Sequence, residues 1–518
     1  MRILSVQEAA EMLEVDLRTV YRLIERDGLP AFKVGRQWRM RLRDVESWID
    51  AKLKAREPAG TYRLGQQSLL AEDASKAAAD SRPGFSDSAF SENADLPVHS
   101  WVPWIAGFSA TFVAEVLDHY LGSGGDGQDA VVLDPFAGVG TTLVTALLRG
   151  YATYGFEINP YAAEVARLKL AVRSIPVDEL ERSIARFREA VGRAVREGTK
   201  PERRPPSGFR TRSRFLSPEV ERKVLLVRDF TWSVEDPLVR SCFRVALGSE
   251  LVGFSNYSYE PSLGTRAAAG KKDVLDAPVV PTMARKLRKM LSDIRLVQRD
   301  VRAGGPAPSA ELVEGDFFTA AGSVASESVD LVVTSPPYLN NYHYVRNSRP
   351  QVYWLEMVGS PKDLKGLEDR SFGKYWQTVR TEAQIPLAFG MPELQDSLDF
   401  LRSVNTHKGP YGGPGWANYA ATYFNDAYRL AGELQRVLKP GGRAVVVLGN
   451  SILQGVEFRT DELFARICEL RGLCADDILP LRQKRTGTSI IKSSVRANAA
   501  RSKTQLYESA VVLGNTAG

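Results

Sequence analysis

From Val98 onward, short apolar runs alternate with helical patterns, and that alternation confines most of this chain to an α/β architecture. Seven runs read as strands: Ala130–Leu133, Ala152–Phe156, Glu311–Val313, Asp330–Val333, Arg443–Leu448, Asp476–Leu481 and Leu506–Leu513. The helical pattern ahead of the fifth, Leu430 to Leu438, stops at Lys439-Pro440-Gly441-Gly442 and runs directly into Val445-Val446-Val447. Two stretches exceed what seven strands need. One, 171–308, carries helical segments and the basic runs beginning at Lys200 and Arg285; the other, 340–415, is rich in Tyr, Asn and Gly. Connections of that length inside a compact domain are usually functional insertions.

At 518 residues the chain exceeds the usual size of one domain, so two or more units are expected. With 44% hydrophobic and 25% charged residues it has ample material for a soluble core. It has no run of eighteen apolar residues, so no membrane span is expected, and the first residues lack the apolar core of a signal peptide. Cys242, Cys468 and Cys474 have no CxxC pairing, which excludes a disulfide framework or zinc site and fits a reducing cytoplasm. Four scattered histidines argue against a metal centre. A net charge of +6 permits a polyanionic partner without requiring one.

Residues 1–56 read as a self-contained module. Ser5 and Glu8 form a capping box for a helix whose apolar face is Ala9, Ala10, Met12 and Leu13. Asp16 caps a second helix, Leu17 to Asp27, stopped by Gly28 and Pro30. Ala31 to Met40 then reads as a hairpin turning at Gly35-Arg36, and a helix carrying Val45, Trp48 and Ile49 closes the module. Two helices and a basic wing resemble the winged helix-turn-helix of the excisionase and MerR-like family. The resemblance implies that helix 17–27 enters a major groove of double-stranded DNA while the wing reaches phosphates or the minor groove. Arg18, Thr19, Arg22, Lys33, Arg36 and Arg39 would make the contacts; the plainer alternative is an adaptor whose arginines form a solvated face. The stretch 57–97, rich in Ala, Ser, Asp and Gly, reads as a flexible linker spanning ~35 Å.

The first strand of the larger region runs into Asp134-Pro135-Phe136-Ala137-Gly138-Val139-Gly140-Thr141-Thr142. Gly138 and Gly140 allow a tight turn and close approach of a ligand to the following helix. A phosphate loop would need a lysine here, and a dinucleotide fingerprint a third glycine where Leu143 stands. Asp134 would repel a pyrophosphate but suits the ammonium and sulfonium of S-adenosylmethionine. Glu157, at the next strand end, is placed to accept from ribose hydroxyls. Asp316 and Phe317, at the third, suit an adenine amino group and ring. After the fourth strand comes Thr334-Ser335-Pro336-Pro337-Tyr338. Read alone it is either a proline turn or a holder for a planar amino group, with two stiffened prolines leaving carbonyls free.

Together these motifs resemble the DNA amino-methyltransferases, class I S-adenosylmethionine enzymes that methylate the exocyclic nitrogen of cytosine or adenine. The likeness covers 98–518 and implies a seven-stranded Rossmann-like sheet with a large helical insertion. It implies a catalytic set of Ser335, Pro336, Pro337 and Tyr338. It implies cofactor contacts from Phe108, Ser109, Asp134, Phe136, Gly138, Gly140, Thr141, Glu157, Asn159, Asp316 and Phe317. Trp104 to Ser109 is the looser match, to the segment that touches the methionine end of the cofactor. The insertion at 171–308 departs from the family pattern, so its role in target recognition is an open expectation. Serine at the first catalytic position resembles the cytosine-N4 enzymes more than the adenine-N6 ones. An adenine-N6 enzyme, an RNA amino-methyltransferase and a DNA-binding regulator with an inactive body are the alternatives; a companion restriction or defence protein is a further expectation. The basic run from Arg482 to Lys503 reads either as a phosphate track or as a solvated loop.

Overall fold

The structure, a computed structural model, describes residues 3–12, 20, 24, 29–34, 37–41, 45, 85–86, 90–104, 107, 109–122, 129–259, 263–301, 308–340, 342–483 and 506–516. The chain divides into two compact units, 1–67 and 68–518.

In the first unit, β1 (Ile3–Ser5) leads into a helix, Val6–Met12, and β2 (Phe32–Val34) and β3 (Gln37–Arg41) form the hairpin. The three strands make an antiparallel sheet in the order β1-β3-β2. The capping box is present: Glu8 N donates to Ser5 Oγ at 3.2 Å and Ser5 N to Glu8 Oε2 at 2.8 Å. Leu4, Val6, Ala9, Val20, Leu29, Met40 and Val45 form a small core. Of the expected helix 17–27, Val20 and Ile24 are described and helical; the rest lies outside the described residues, as do the hairpin tip and most of the closing helix.

In the second unit the strands are β4 (Val131–Asp134), β5 (Ala152–Glu157), β6 (Tyr257–Tyr259), β7 (Leu263–Thr265), β8 (Ala310–Glu314), β9 (Val329–Thr334), β10 (Leu438–Gly449), β11 (Ser451–Leu453), β12 (Val456–Phe458), β13 (Cys474–Gln483) and β14 (Tyr507–Gly514). Seven form one sheet, in the order β13-β14-β10-β9-β4-β5-β8. These are the seven strands expected from the sequence. β10 to β8 run parallel, and β14 is antiparallel to both its neighbours.

Alternation along each strand sends successive side chains to opposite faces. Leu331 and Val333 pack with Val132, Val445 and Val447 beneath the helix Ala110–Leu121; Leu133, Val332 and Val446 pack under the helix Gly413–Val437. Both faces are covered, which is why the strands read as near-continuous apolar runs. The helix stops at Val437, just ahead of the expected stop at Lys439-Pro440-Gly441-Gly442; Pro440-Gly441-Gly442 then form an irregularity within β10, between Leu438 and Arg443, where Gly441 takes φ 79°.

The chain builds outward from β4 through β5 to β8, then returns to place β9 on the other side of β4. The loops after β4 and β9 therefore leave neighbouring strand ends in opposite senses, and a crevice opens between them. The 171–308 insertion is helical as expected, with long helices at Val177–Arg196, Pro218–Ser233, Pro237–Glu250 and Val279–Val301 and the hairpin β6–β7.

One boundary is corrected. The expected linker does not extend to 97. Phe85 packs edge-on against Phe112 at 5.7 Å, and Phe90–Ala94 forms a 3-10 turn. Asn93 Oδ1 accepts from Ala110 N at 2.8 Å. A polar composition that suggests solvation serves here to satisfy a buried amide at a helix start.

Candidate active site

The crevice is a cleft open to solvent. Its floor is the turn after β4. Gly138 (φ 53°) and Gly140 (φ 82°) are left-handed, and Gly140 N closes the turn on Ala137 O at 2.7 Å. Gly138, Phe136 and Thr141 line the cleft; Gly140 does not. Gly140 serves packing instead, since a Cβ there would lie 3.0 Å from Ala166 Cβ.

Asp134 is also placed differently from the expectation. It is buried beneath the loop, where its Oδ1 accepts from Thr334 Oγ1 at 2.6 Å and Phe136 N at 3.0 Å. Burial, partly offset by these bonds, raises its carboxyl to about 6. It ties the β4 and β9 ends together and acts on the cleft through its field.

Glu157 lies on the cleft wall. One carboxylate oxygen accepts from Gly138 N at 2.7 Å, the other from Asn159 N at 2.7 Å. Removal from bulk water pushes its carboxyl up to about 7 against those amides, with Asp134 adding to the rise. Each oxygen keeps a lone pair for a further donor. Asn159 caps the helix Pro160–Leu170 and donates to Ser348 Oγ at 2.6 Å. Asp316 caps the short helix Phe317–Ala320 through Thr319 N at 2.9 Å and still lines the cleft beside Phe317, whose ring meets Phe156 at 5.0 Å. Acids at three strand ends favour a cationic ligand, and the adjoining aromatic slot a flat ring.

Ser335, Pro337 and Tyr338 line the same cleft, while Pro336 is buried. Ser335 Oγ donates to Val447 O at 3.2 Å. A hydroxyl has one proton, so spending it on β10 leaves the Ser335 lone pairs as acceptors. The Tyr338 phenol lies 3.5 Å from Ser335 Oγ and beside Glu508 of β14; burial, then Glu508, keeps it protonated far above ordinary pH. Glu508 is in turn paired with Arg482 of β13.

One expected contact does not reach the cleft as read. Ser109 is fully buried as the cap of the helix Ala110–Leu121, accepting from Thr111 N at 3.1 Å and donating to Glu92 at 3.0 Å. Serine suits a cap as well as a ligand, and here the cap wins. Phe108 lies outside the described residues; Trp104 and Gly107 of the same segment line the cleft.

The opposite wall was largely missed. It comes from the long connection after β9: Tyr342 and Tyr344, then Arg370 to Phe372, Lys374 and Tyr375, with Tyr419 from the following helix. Phe372 meets Phe136 at 5.3 Å, stacks near Phe318 at 6.1 Å and meets Tyr423 at 5.2 Å. The aromatic richness of 340–415 was the available signal, but nothing in it singles out Phe372.

Of the residues read as DNA contacts, Arg18, Thr19, Arg22 and Arg36 lie outside the described residues. Lys33 falls in β2, and Arg39 in β3 donates to Trp38 O at 3.0 Å.

A sheet of this order with a glycine turn after its first strand is the fold of the Rossmann-like methyltransferases, here joined to an N-terminal helix-turn-helix unit; residues 3–52 match the helix-turn-helix domain family. The chain is similar to type II methyltransferases. It is 24% identical over 442 residues to M.BsoBI of Geobacillus stearothermophilus, covering 77% of this chain and 83% of that protein. To M.AvaI of Nostoc sp. it is 22% identical over 411 residues, covering 76% and 82%. Among solved structures, the rRNA methyltransferase aviRa from Streptomyces viridochromogenes is similar at 13% identity and a TM-score of 0.28, covering 82% of this chain and 93% of that one. Among the described residues no helix is long and apolar enough to cross a membrane.

Proposed function

We propose that this chain transfers a methyl group from S-adenosylmethionine to the exocyclic amino nitrogen of a base in double-stranded DNA, and that the base is cytosine, methylated at N4. The observation that carries this reading is Ser335, whose hydroxyl lines the cleft within reach of Val447 O at 3.2 Å and of the Tyr338 hydroxyl at 3.5 Å. Its lone pairs are left to face the cleft beside the Tyr338 ring.

An exocyclic amino nitrogen is a poor nucleophile because its lone pair is delocalised into the ring. Ser335 Oγ accepts one amino hydrogen and the Pro336 carbonyl the other, turning the lone pair out of the ring plane. Positive charge developing on nitrogen then meets fixed acceptors that need no reorganisation. Tyr338 stacks on the base, which must leave the duplex to enter the cleft. S-adenosylmethionine, when bound, supplies a methyl group on a cationic sulfur. Glu157 would take the ribose hydroxyls with its remaining lone pairs, and Phe317 with Phe136 and Phe372 would hold the adenine ring. Asp134, without touching it, favours positive charge above the turn. Alignment of the two reactants supplies much of the remaining acceleration.

The N-terminal unit would hold DNA through Arg18, Thr19, Arg22, Lys33, Arg36 and Arg39. Deleting residues 1–56 should lower DNA affinity without changing cofactor affinity; unchanged DNA affinity would make the unit an adaptor. The deciding experiment incubates the protein with labelled cofactor and either DNA or RNA, digests the nucleic acid to nucleosides and weighs them. N4-methylcytosine is expected. N6-methyladenine would reassign the base, and labelling confined to RNA would remove the reading.

A further inference from the structure

The 171–308 insertion grips two elements that meet each other at a single buried hydrogen bond. The first is the helix Pro160–Leu170. Arg244 Nε and Nη2 donate to the two carboxylate oxygens of its Glu164 at 2.7 and 2.9 Å, both side chains being 18% exposed. Its Tyr161 packs so closely on Gly248 that a Cβ there would lie 2.4 Å from the ring. The second element is the segment 344–359. From the hairpin β6–β7, Leu263 N donates to Asn347 Oδ1 at 2.9 Å and the Tyr259 hydroxyl to Asn347 O at 2.8 Å. Further along, Glu356 takes φ 58°, which costs a residue with a side chain about 1–3 kcal/mol and persists only where its surroundings hold it. Arg203 Nη1 donates to both its carboxylate oxygens, at 2.9 and 3.1 Å, and the buried Arg228 Nη2 to one of them.

The two elements join at Asn159 and Ser348, each 4% exposed. Chemistry fixes the direction of the bonds between them. Tyr161 N and Ala162 N can only donate, so Asn159 Oδ1 caps them and Nδ2 is turned to Ser348 Oγ, 2.6 Å away. The Ser348 hydroxyl lies 3.0 Å from Val345 O and 3.4 Å from Tyr344 O, which can only accept. Its proton goes to them, and its lone pair takes the Asn159 amide. Asn159 N in turn donates to Glu157 Oε1 at 2.7 Å. Tyr344, Val345, Asn159 and Glu157 all line the cleft.

We infer that Ser348 is a positioning residue, the last link through which the insertion holds Glu157 in place for the ribose hydroxyls of the cofactor. This rests on the reading of the cleft as an S-adenosylmethionine site. It gives the insertion a task that requires no contact with the target sequence.

Calorimetry of S-adenosylmethionine binding to the full chain tests this. Ser348→Ala leaves the Asn159 amide without its acceptor and should weaken binding about tenfold. A double-mutant cycle with Glu157→Gln supplies a readout that mere loosening of the fold would not move. In the Glu157→Gln background, Ser348→Ala should cost no more than about twofold, because the group it acts through is already altered. Losses of equal size in both backgrounds, or no loss in either, overturn the inference. Arg228→Met, of similar volume, tests the grip of the insertion. Amide exchange read by mass spectrometry should quicken across 344–358, and binding should weaken about threefold. Exchange that quickens along the whole chain marks a variant that no longer folds, and Arg203→Met, at a half-buried guanidinium, is then read in its place. Unchanged exchange and affinity overturn the inference. A parent chain that does not bind the cofactor removes the reading of the cleft; a parent that binds it, with an indifferent Ser348→Ala, removes only this inference.

Discussion

One wall of the cleft is made from the carboxyl ends of parallel strands, the other from the connection between β9 and β10, and different forces hold them. On the strand-end wall each functional group is tied to backbone: Glu157 to Gly138 N and Asn159 N, Asp316 to Thr319 N, Ser335 to Val447 O. The facing wall is held by rings, with Phe372 packed among Phe136, Phe318 and Tyr423, and His343 stacked on Tyr375 at 4.5 Å. Directional bonds at fixed strand ends suit groups that must sit within tenths of an ångström. Ring packing suits a surface that closes over a flat ligand.

The sharpest way to break this contrast is to remove the centre of the packed wall. Phe372→Ala should cost about 3–5 kcal/mol of stability in denaturant titration. It should also weaken S-adenosylmethionine binding measured by calorimetry. Unchanged cofactor affinity would show that the strand-end wall alone holds it. Ser335→Ala leaves both walls standing and should cut transfer about 10²–10³-fold while cofactor binding stays within about twofold. Equal losses in both would mean that Ser335 is a structural residue.

Gly140→Ala probes the strand-end wall through its backbone. A left-handed alanine pressed against Ala166 should destabilise by about 1–3 kcal/mol, read from the shift in urea midpoint. The smallest effect is on pH. Asp134 and Glu157 hold protons in the native chain up to about 6 and about 7, whereas the unfolded carboxyls ionise near 3.8 and 4.5. The native state therefore binds more protons across that window, and its stability should fall as pH rises through it. Melting temperatures from pH 4 to pH 8 should show a gentler decline in Glu157→Gln than in the parent; parallel curves would rule Glu157 out as a contributor.

The two walls also differed in how far the sequence revealed them. The seven strands were visible because each is an apolar run bounded by turn residues, and strand-end chemistry follows within a few positions. Gly138, Glu157, Asp316 and Ser335 therefore stood out. Phe372 did not, because its place depends on folding a long connection back onto Phe136, and no local pattern encodes that contact. Ser109 shows a second limit. A small polar residue before a helix reads alike whether it meets a ligand or an amide, and only the neighbouring chain decides. Asp134 shows a third: its position at the strand end was legible, its rotation under the loop was not.

The placement of β14 bears on how the protein comes into being. This strand lies between β10 and β13, and its Glu508 stands behind Tyr338. During synthesis the Ser335 loop leaves the ribosome long before that support exists. A nascent chain stopped short of residue 507 would carry the glycine turn and the Ser335 loop, yet leave the flank of β10 bare and ready to pair with a stranger. Competence thus arrives late and all at once, and a fragment holding every recognisable motif would still be an inert, sticky product.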